Sequence, residues 1–302
     1  MIDVSPKFNT LRYAKAKGVL RANSDTIQRV KDHKVPKGEV LSVARSAGIS
    51  AAKSTADWLV FCHPIPLDWV EVHSELFGDR IEVVAEVKAI WKTGVEMEAL
   101  TAVSAALLNI YDMLKPLDKN LSIGEIELLE KKGGKSEFID RLAQSISAAV
   151  LVISDSTFAG RREDRSGKII KEFLTTLPIE TKFYEILPDD KDKISSRLVE
   201  LVDKEKIELI LTTGGTGMGP NDVTPEATLP VIEKEIPGIA EAMRKHGKER
   251  TPYAMLAREV CGMRKQSVII NLPGSSKGAK ESLEALFPGL LHGFLMMWGG
   301  KH

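Results

Sequence analysis

The hydrophobic pattern changes period near the middle of the chain, and no other feature constrains the fold as tightly. In the first half Val70, Val72 and Ser74, then Ile81, Val83, Ala85 and Val87, recur at every second residue with charges between them. Period two sends alternate side chains to opposite faces. The pattern therefore predicts an antiparallel hairpin with one wet face, turning at Phe77-Gly78-Asp79-Arg80. Helical spacing is expected over 38–57, rich in small residues, and over 95–115. In the latter, Leu100, Val103, Leu107, Ile110 and Leu114 form one stripe. A short strand is expected over 123–129. Helices mixed with antiparallel strands imply an α+β domain.

The second half has continuous apolar runs instead: 149–153, 207–211 around one Glu, and 267–272. A further strand is expected over 182–187 and a helix over 190–204. Strands buried on both faces and alternating with helices imply a parallel α/β sheet. Ligands of such sheets sit outside the carboxyl ends of the strands. The loops SDSTFAG, TTGGTGMG and PGSS all fall there. Two domains follow, 1–137 and 148–302, joined by a linker at 138–147 that Gly133-Gly134-Lys135-Ser136 introduces. No internal repeat is visible.

Charge excludes one class of partner. The chain has 42 basic and 42 acidic side chains; 19 of each lie in 1–137, leaving 23 of each beyond. A nucleic-acid surface needs a local basic excess, so no nucleic-acid partner is expected. No apolar run reaches ~18 residues, so no membrane span is expected. The start MIDVSPKFNT lacks a signal-peptide pattern. Two cysteines, Cys62 and Cys261, form no C-x-x-C, which argues against a zinc ribbon or dithiol site. The expected setting is reduced and cytoplasmic.

Several residues of the first half suit acid–base chemistry. Two prolines stiffen Phe61-Cys62-His63-Pro64-Ile65-Pro66 and would hold His63 in one place. Glu96 and Glu98 open the long helix, either as complements to its dipole or as functional groups. Asp112 and Lys115 close it, as a surface ion pair or as an acid/base pair that shifts each other's pKa. Taken together, CHPIPL, GVEMEALTAVSAALLNIYDMLK and LLEKKGGKS, with DVSPK…TLR and VPKGEV, resemble the MoaC family of cyclic pyranopterin monophosphate synthases. The likeness spans about 1–137. It implies a ferredoxin-like α+β fold and a hexamer built from dimers. It also implies conversion of 3′,8-cyclo-7,8-dihydro-GTP to cyclic pyranopterin monophosphate and pyrophosphate, with no tightly bound cofactor. On that resemblance Asp112 falls on the catalytic aspartate, and Lys115 and Lys37 on functional lysines. His63 is a further proton carrier. Phe61, Cys62, Met97 and Glu98 fall on substrate-contacting segments, Phe61 standing where the family usually has Leu. Lys37, Lys53 and Arg12 are the candidate cations for a triphosphate. Glu98 and Asp112 are fourteen residues apart, or ~21 Å along one helix. Each site should therefore take Glu96 and Glu98 from one subunit and Asp112 and Lys115 from another.

In the second half, Leu211-Thr212-Thr213-Gly214-Gly215-Thr216-Gly217 follows a buried strand. Its glycines let backbone N–H groups approach an anion. A helix is expected from Thr224-Pro225-Glu226, with Thr224 as N-cap and Pro225 first in the helix. No P-loop lysine follows at the required spacing. Asp222 lies beside the loop and suits Mg²⁺ or an orienting carboxylate. Asp189-Asp190 supplies either a second carboxylate or a helix start. TTGGTG-x5-DVTPEAT, SDS-T-x-x-G and NLPGS together resemble the MoaB/Mog family of molybdopterin-binding proteins and adenylyltransferases, over about 148–302. The resemblance implies a parallel, Rossmann-like α/β fold, commonly trimeric, and Mg²⁺-ATP as AMP donor to molybdopterin. Asp222 falls on the catalytic aspartate and Asp189 on its partner, both as tentative Mg²⁺ ligands. Gly214, Gly215, Thr216, Gly217 and the turn Pro273-Gly274-Ser275 fall on ligand loops. Ser276 replaces the family's second proline, so that loop should be less rigid. The chain is thus expected to be a bifunctional, homo-oligomeric enzyme of molybdenum cofactor synthesis, acting on pterin and nucleotide-derived substrates. The alternative is that the second domain is a non-catalytic pterin-binding or oligomerising module.

Overall fold

The computed structural model describes residues 1–138 and 142–300, which form two compact units divided between Glu137 and Phe138. Part of the expected 138–147 linker, 139–141, lies outside the described residues.

The first unit runs β1 (Thr10–Arg21), α1 (Ser24–Lys31), α2 (Val40–Lys53), α3 (Thr55–Trp58), β2 (Trp69–Leu76), β3 (Arg80–Trp91), α4 (Glu96–Leu114) and β4 (Ser122–Lys132). The strands make one antiparallel sheet in the order β2-β3-β1-β4, in keeping with the expected ferredoxin-like α+β class. The alternation at 70–87 builds the β2–β3 hairpin as expected: Val72, Ile81, Val83, Ala85 and Val87 are fully buried. The helix expected over 38–57 breaks at Ser54 into α2 and α3. Small residues set the packing distance. A Cβ on Gly18 of β1 would lie 2.6 Å from Leu107 and Val103 of α4, so only glycine lets that helix settle on the sheet. Ala44 and Ala52 of α2 and Ala99, Ala102 and Ala106 of α4 are buried in the same core. Among the described helices α4 alone is long and apolar enough to cross a membrane, with a window of mean hydropathy 1.2; 61% of that window is buried as core.

The second unit runs β5 (Ile146–Ile153), α5 (Asp155–Phe158), α6 (Ser166–Leu174), β6 (Ile179–Leu187), α7 (Lys191–Asp203), β7 (Leu209–Thr213), α8 (Thr224–Thr228), β8 (Lys234–Glu235), α9 (Pro237–Lys248), β9 (Cys261–Arg264), β10 (Ser267–Leu272), α10 (Ser276–Leu286) and α11 (Gly289–Met297). The sheet order is β6-β5-β7-β10-β9-β8. β6, β5, β7 and β10 are parallel, as the apolar runs of β5, β7 and β10 predict; β6 is the strand expected over 182–187 and begins at Ile179. β9 and β8 add an antiparallel edge that the sequence pattern does not signal. Two separate apolar clusters cover the sheet. Ile170, Leu283 and Phe294 belong to one, and Ile194, Leu198 and Ala227 to the other. The strand expected at 207–211 begins two residues later, because Ile207 is buried ahead of the ladder rather than in it.

Candidate functional sites

Helix α4 presents chemistry at both ends. Glu96 and Glu98 lie in its first turn, where carboxylates complement the dipole. Glu98 is buried, and its Oε2 has no hydrogen-bond partner. Burial, with a smaller push from the Glu96 charge, raises its carboxyl to about 7. An acid of that strength can hold or release a proton near neutrality. Phe61, Cys62, His63 and Ile65 meet Glu96, Met97, Glu98 and Lys131 around an open cavity of about 900 Å³. The Cys62 thiol is pushed up by burial and by Glu98, so it stays protonated and is not an activated nucleophile.

A second cavity of about 470 Å³ adjoins the first, sharing Lys7, Gly94, Glu96 and Lys131 and adding Arg12 and Lys132. Arg12 is buried, and two of its guanidinium nitrogens are held by backbone. Nε donates to the Trp91 carbonyl and Nη2 to that of Lys92, both at 3.1 Å. It braces the turn into α4, whereas Lys7, Lys131 and Lys132 supply positive charge along the wall. Sequence reasoning missed these three; KKGGKS reads as the approach to a linker. Lys53 ends α2 on the surface and lines neither cavity.

At the other end of α4, three expected residues converge. Lys37 Nζ donates to Asp112 Oδ2 at 2.6 Å and to the Asp112 carbonyl at 2.9 Å. Lys115 Nζ pairs with Asp112 Oδ1 at 2.7 Å. The two lysines, Lys115 first, hold the Asp112 carboxyl down at about 2, and Asp112 in turn raises Lys115. Asp112 is therefore ionised throughout the neutral range. The cluster lies fourteen residues from Glu98 on one unbroken helix, about 21 Å away by helical rise.

In the second unit the carboxyl ends of the parallel strands enclose a cleft of about 270 Å³. Ser154 follows β5, Asp189 follows β6, Thr213, Gly214 and Gly215 end β7, and Gly274 and Ser276 follow β10; all line it with Asp222. Gly214 has φ +104°, and a Cβ there would lie 2.2 Å from the Ile153 carbonyl, so the close approach of β7's end to β5 requires glycine. Thr216, Gly217, Pro273 and Ser275 frame these loops without lining the cleft. The expected cap is corrected: Thr224 lies inside α8, and its hydroxyl donates to the Gly214 carbonyl at 2.8 Å, tying loop to helix. The two neighbouring aspartates divide the two expected roles. Asp190 caps α7 through the Asp192 and Lys193 N–H groups. Asp189 faces the cleft and is paired with Asp155. Its carboxylate accepts the Asp155 N–H at 2.8 Å, and the Asp155 carboxylate accepts the Asp189 N–H at 3.1 Å. Asp222 Oδ2 accepts the Gly219 N–H at 2.7 Å. Where the family has a second proline, Ser276 begins α10, and the Ser275 hydroxyl caps that helix at the Gly278 N–H, 3.1 Å. The turn is thus held by a cap.

Burial and the charges of Asp155 and Asp222 raise the Asp189 carboxyl. Such crowding of carboxylates favours a cation between them. Among the described residues no group of three or more His, Cys, Asp or Glu is arranged to hold a metal alone. That donor set suits Mg²⁺, which binds through one or two carboxylates plus the phosphates of its substrate. Arg162, Arg165 and Ser166 also line the cleft, beside buried Asp164, which accepts hydrogen bonds from the Gly167 N–H and the Tyr184 hydroxyl. These residues escape the sequence reading, because RREDRS resembles a solvated loop. The one available signal is a charged run opening onto an apolar helix.

The fold and the two sites define a two-unit protein with a cavity lined by ionisable side chains in each half. Residues 1–134 match the MoaC family, and residues 149–292 match the family described as "Probable molybdopterin binding domain". The chain is 40% identical over 302 residues to the molybdenum cofactor biosynthesis bifunctional protein of Chlorobaculum tepidum, covering 100% of this chain and 96% of that one. Its first part is 51% identical over 138 residues to the cyclic pyranopterin monophosphate synthase of Heliobacterium modesticaldum, covering 45% of this chain and 87% of that one. Its second part is 45% identical to the crystal structure of the molybdopterin biosynthesis enzyme MoaB from Thermus thermophilus, covering 51% of this chain and 97% of that one, with a TM-score of 0.49. The chain belongs to the bifunctional molybdenum cofactor biosynthesis proteins.

Proposed function

We propose that this chain catalyses two non-consecutive steps of molybdenum cofactor synthesis in the cytoplasm. The first unit converts 3′,8-cyclo-7,8-dihydro-GTP to cyclic pyranopterin monophosphate and pyrophosphate. The second transfers AMP from Mg²⁺-ATP to the terminal phosphate of molybdopterin. One observation carries the reading: in each unit, acids and anion-binding groups far apart in sequence meet at one place. His63 and Lys131 meet the buried Glu98 in the first, and Asp189, Asp222 and Gly214 meet in the second.

In the first unit Lys7, Lys131 and Lys132 bind the phosphates. Glu98 moves a proton near neutrality with His63 beside it in the same cavity, and Asp112 stays ionised between Lys37 and Lys115 as an orienting charge. The two clusters are too far apart to serve one small substrate, so each site is completed across a subunit interface of a homo-oligomer. In the second unit the glycine loop and Arg162 hold phosphate oxygens, and Asp189 and Asp222 would hold the metal. When bound, Mg²⁺ supplies charge neutralisation at the phosphates.

The test is to assay the full chain with each substrate, before and after removing divalent metal by chelation. Chelation is expected to abolish AMP transfer and leave pyranopterin formation unchanged. Folded protein that releases no pyrophosphate in either assay overturns the reading.

A further inference from the structure

We propose that Arg258 is a positioning residue that clamps the loop 214–222 and so fixes where Asp222 presents its carboxylate. The proposal goes beyond the reaction assigned to the second unit but rests on that reading for its catalytic consequence.

The loop needs an external restraint. It contains Gly214, Gly215, Gly217 and Gly219, and glycine leaves the backbone more freedom than any other residue. Inside the loop, the Asp222 carboxylate is held by the Gly219 N–H, itself part of the same glycine-rich stretch. Arg258 supplies the restraint from outside. Its backbone N–H donates to the Thr216 carbonyl at 3.0 Å. Its Nε donates to the Gly217 carbonyl at 2.7 Å, and its Nη2 to the Asp222 carbonyl at 2.7 Å. Its Nη1 donates to Glu226 in α8. One guanidinium therefore grips both ends of the 217–222 segment and the helix that follows.

The clamp has a rigid base. Val260, two residues on, exchanges hydrogen bonds with Asn271 of β10: the Asn271 N–H donates to the Val260 carbonyl, and the Val260 N–H to Asn271 Oδ1. Asn271 Nδ2 in turn donates to the Thr212 and Thr228 hydroxyls, at 2.9 and 3.0 Å. Arg258 is thus mounted on the sheet just below the loop it holds. It does not line the cleft, so it acts through Asp222 rather than on a substrate. Only a planar fork can reach two carbonyls and a carboxylate at once; a lysine ammonium can satisfy a part of that set.

The experiment uses the full chain with Arg258→Met and Arg258→Lys. Arg264→Met is the control, because Arg264 is also multiply bonded, to Asp203 and the Val231 carbonyl, away from the cleft. Amide hydrogen exchange of peptides spanning 214–224 is measured beside steady-state AMP transfer at varied Mg²⁺. In Arg258→Met, exchange over 214–224 should quicken by at least about tenfold while peptides over β7 and β10 keep their protection. The half-saturating Mg²⁺ concentration should rise by about tenfold, with Arg258→Lys intermediate and Arg264→Met like the parent. Exchange unchanged in Arg258→Met, or quickened equally over β7 and β10, overturns the clamp. If the parent chain transfers no AMP, the adenylyl-transfer reading falls, and hydrogen exchange still decides whether Arg258 holds the loop.

Discussion

On the proposed reading the two units solve one problem, holding a phosphorylated small molecule, with different parts. The first relies on long side chains at the two ends of α4, supported by lysines from a neighbouring strand. The second relies on backbone at strand ends, with short side chains, Asp189 and Asp222, carried on loops that the sheet positions. A helix separates what it carries by its own length, whereas parallel strands gather their loops at one edge. On the proposed reading the helical solution calls for a second copy of the chain, and the sheet solution closes within one domain.

The largest expected effect separates the two chemistries. Asp112→Asn should lower pyranopterin formation by roughly 10²–10⁴-fold, and Asp222→Asn should lower AMP transfer by a similar factor, each leaving the other reaction at parent rate. Parallel assays on the same preparations check this. Loss of both activities in either variant would break the division between the units.

A smaller effect concerns the buried carboxyl of the first unit. Glu98 titrates at about 7 in the folded chain against an ordinary 4.5. A raised carboxyl leaves stability intact below about 4.5 and lowers it as pH rises through about 7. Glu98→Gln should therefore match the parent near pH 4 and exceed it at pH 8 by roughly 3 kcal/mol, measured by denaturant unfolding. A stability difference that does not vary with pH would contradict that placement.

The smallest effect distinguishes two neighbours. Asp190→Ala removes the α7 cap and should cost about 1 kcal/mol with AMP transfer unchanged. Asp189→Asn should do the reverse, losing transfer at nearly full stability. Thermal melts and initial rates on the two variants suffice.

These residues also indicate how far the sequence can be read. β10 is legible to the residue, because its apolar run stops at Pro273. β1 gives no sign of being a central strand. Of its alternating core positions Ala14, Ala16, Gly18 and Leu20, three are too small to carry an apolar rhythm, and at Gly18 the helix above demands that smallness. β8 and β9 are two and four residues long, too short to show a period. Asp112 and Lys115 pair as their spacing allows, Lys37 joins them, and Asp189 and Asp222 line one cleft. Arg12, expected to meet phosphate, lines the smaller cavity and also braces backbone, a role the sequence does not show because its carbonyl partners lie about 80 residues away. Asp164 is silent in the sequence because its burial depends on Tyr184, which no local pattern links to it.

The contrast between a site shared by two chains and a site closed within one is most directly tested by mixing variants. Glu98→Ala and Asp112→Ala chains, inactive alone in pyranopterin formation, are co-assembled after subunit exchange has been verified. Asp189→Ala and Asp222→Ala chains are treated in the same way for AMP transfer. The account predicts that the first mixture regains activity, because intact sites form where one chain supplies Glu98 and the other Asp112, and that the second mixture regains none. A first mixture that stays inactive, or a second that recovers, would contradict it.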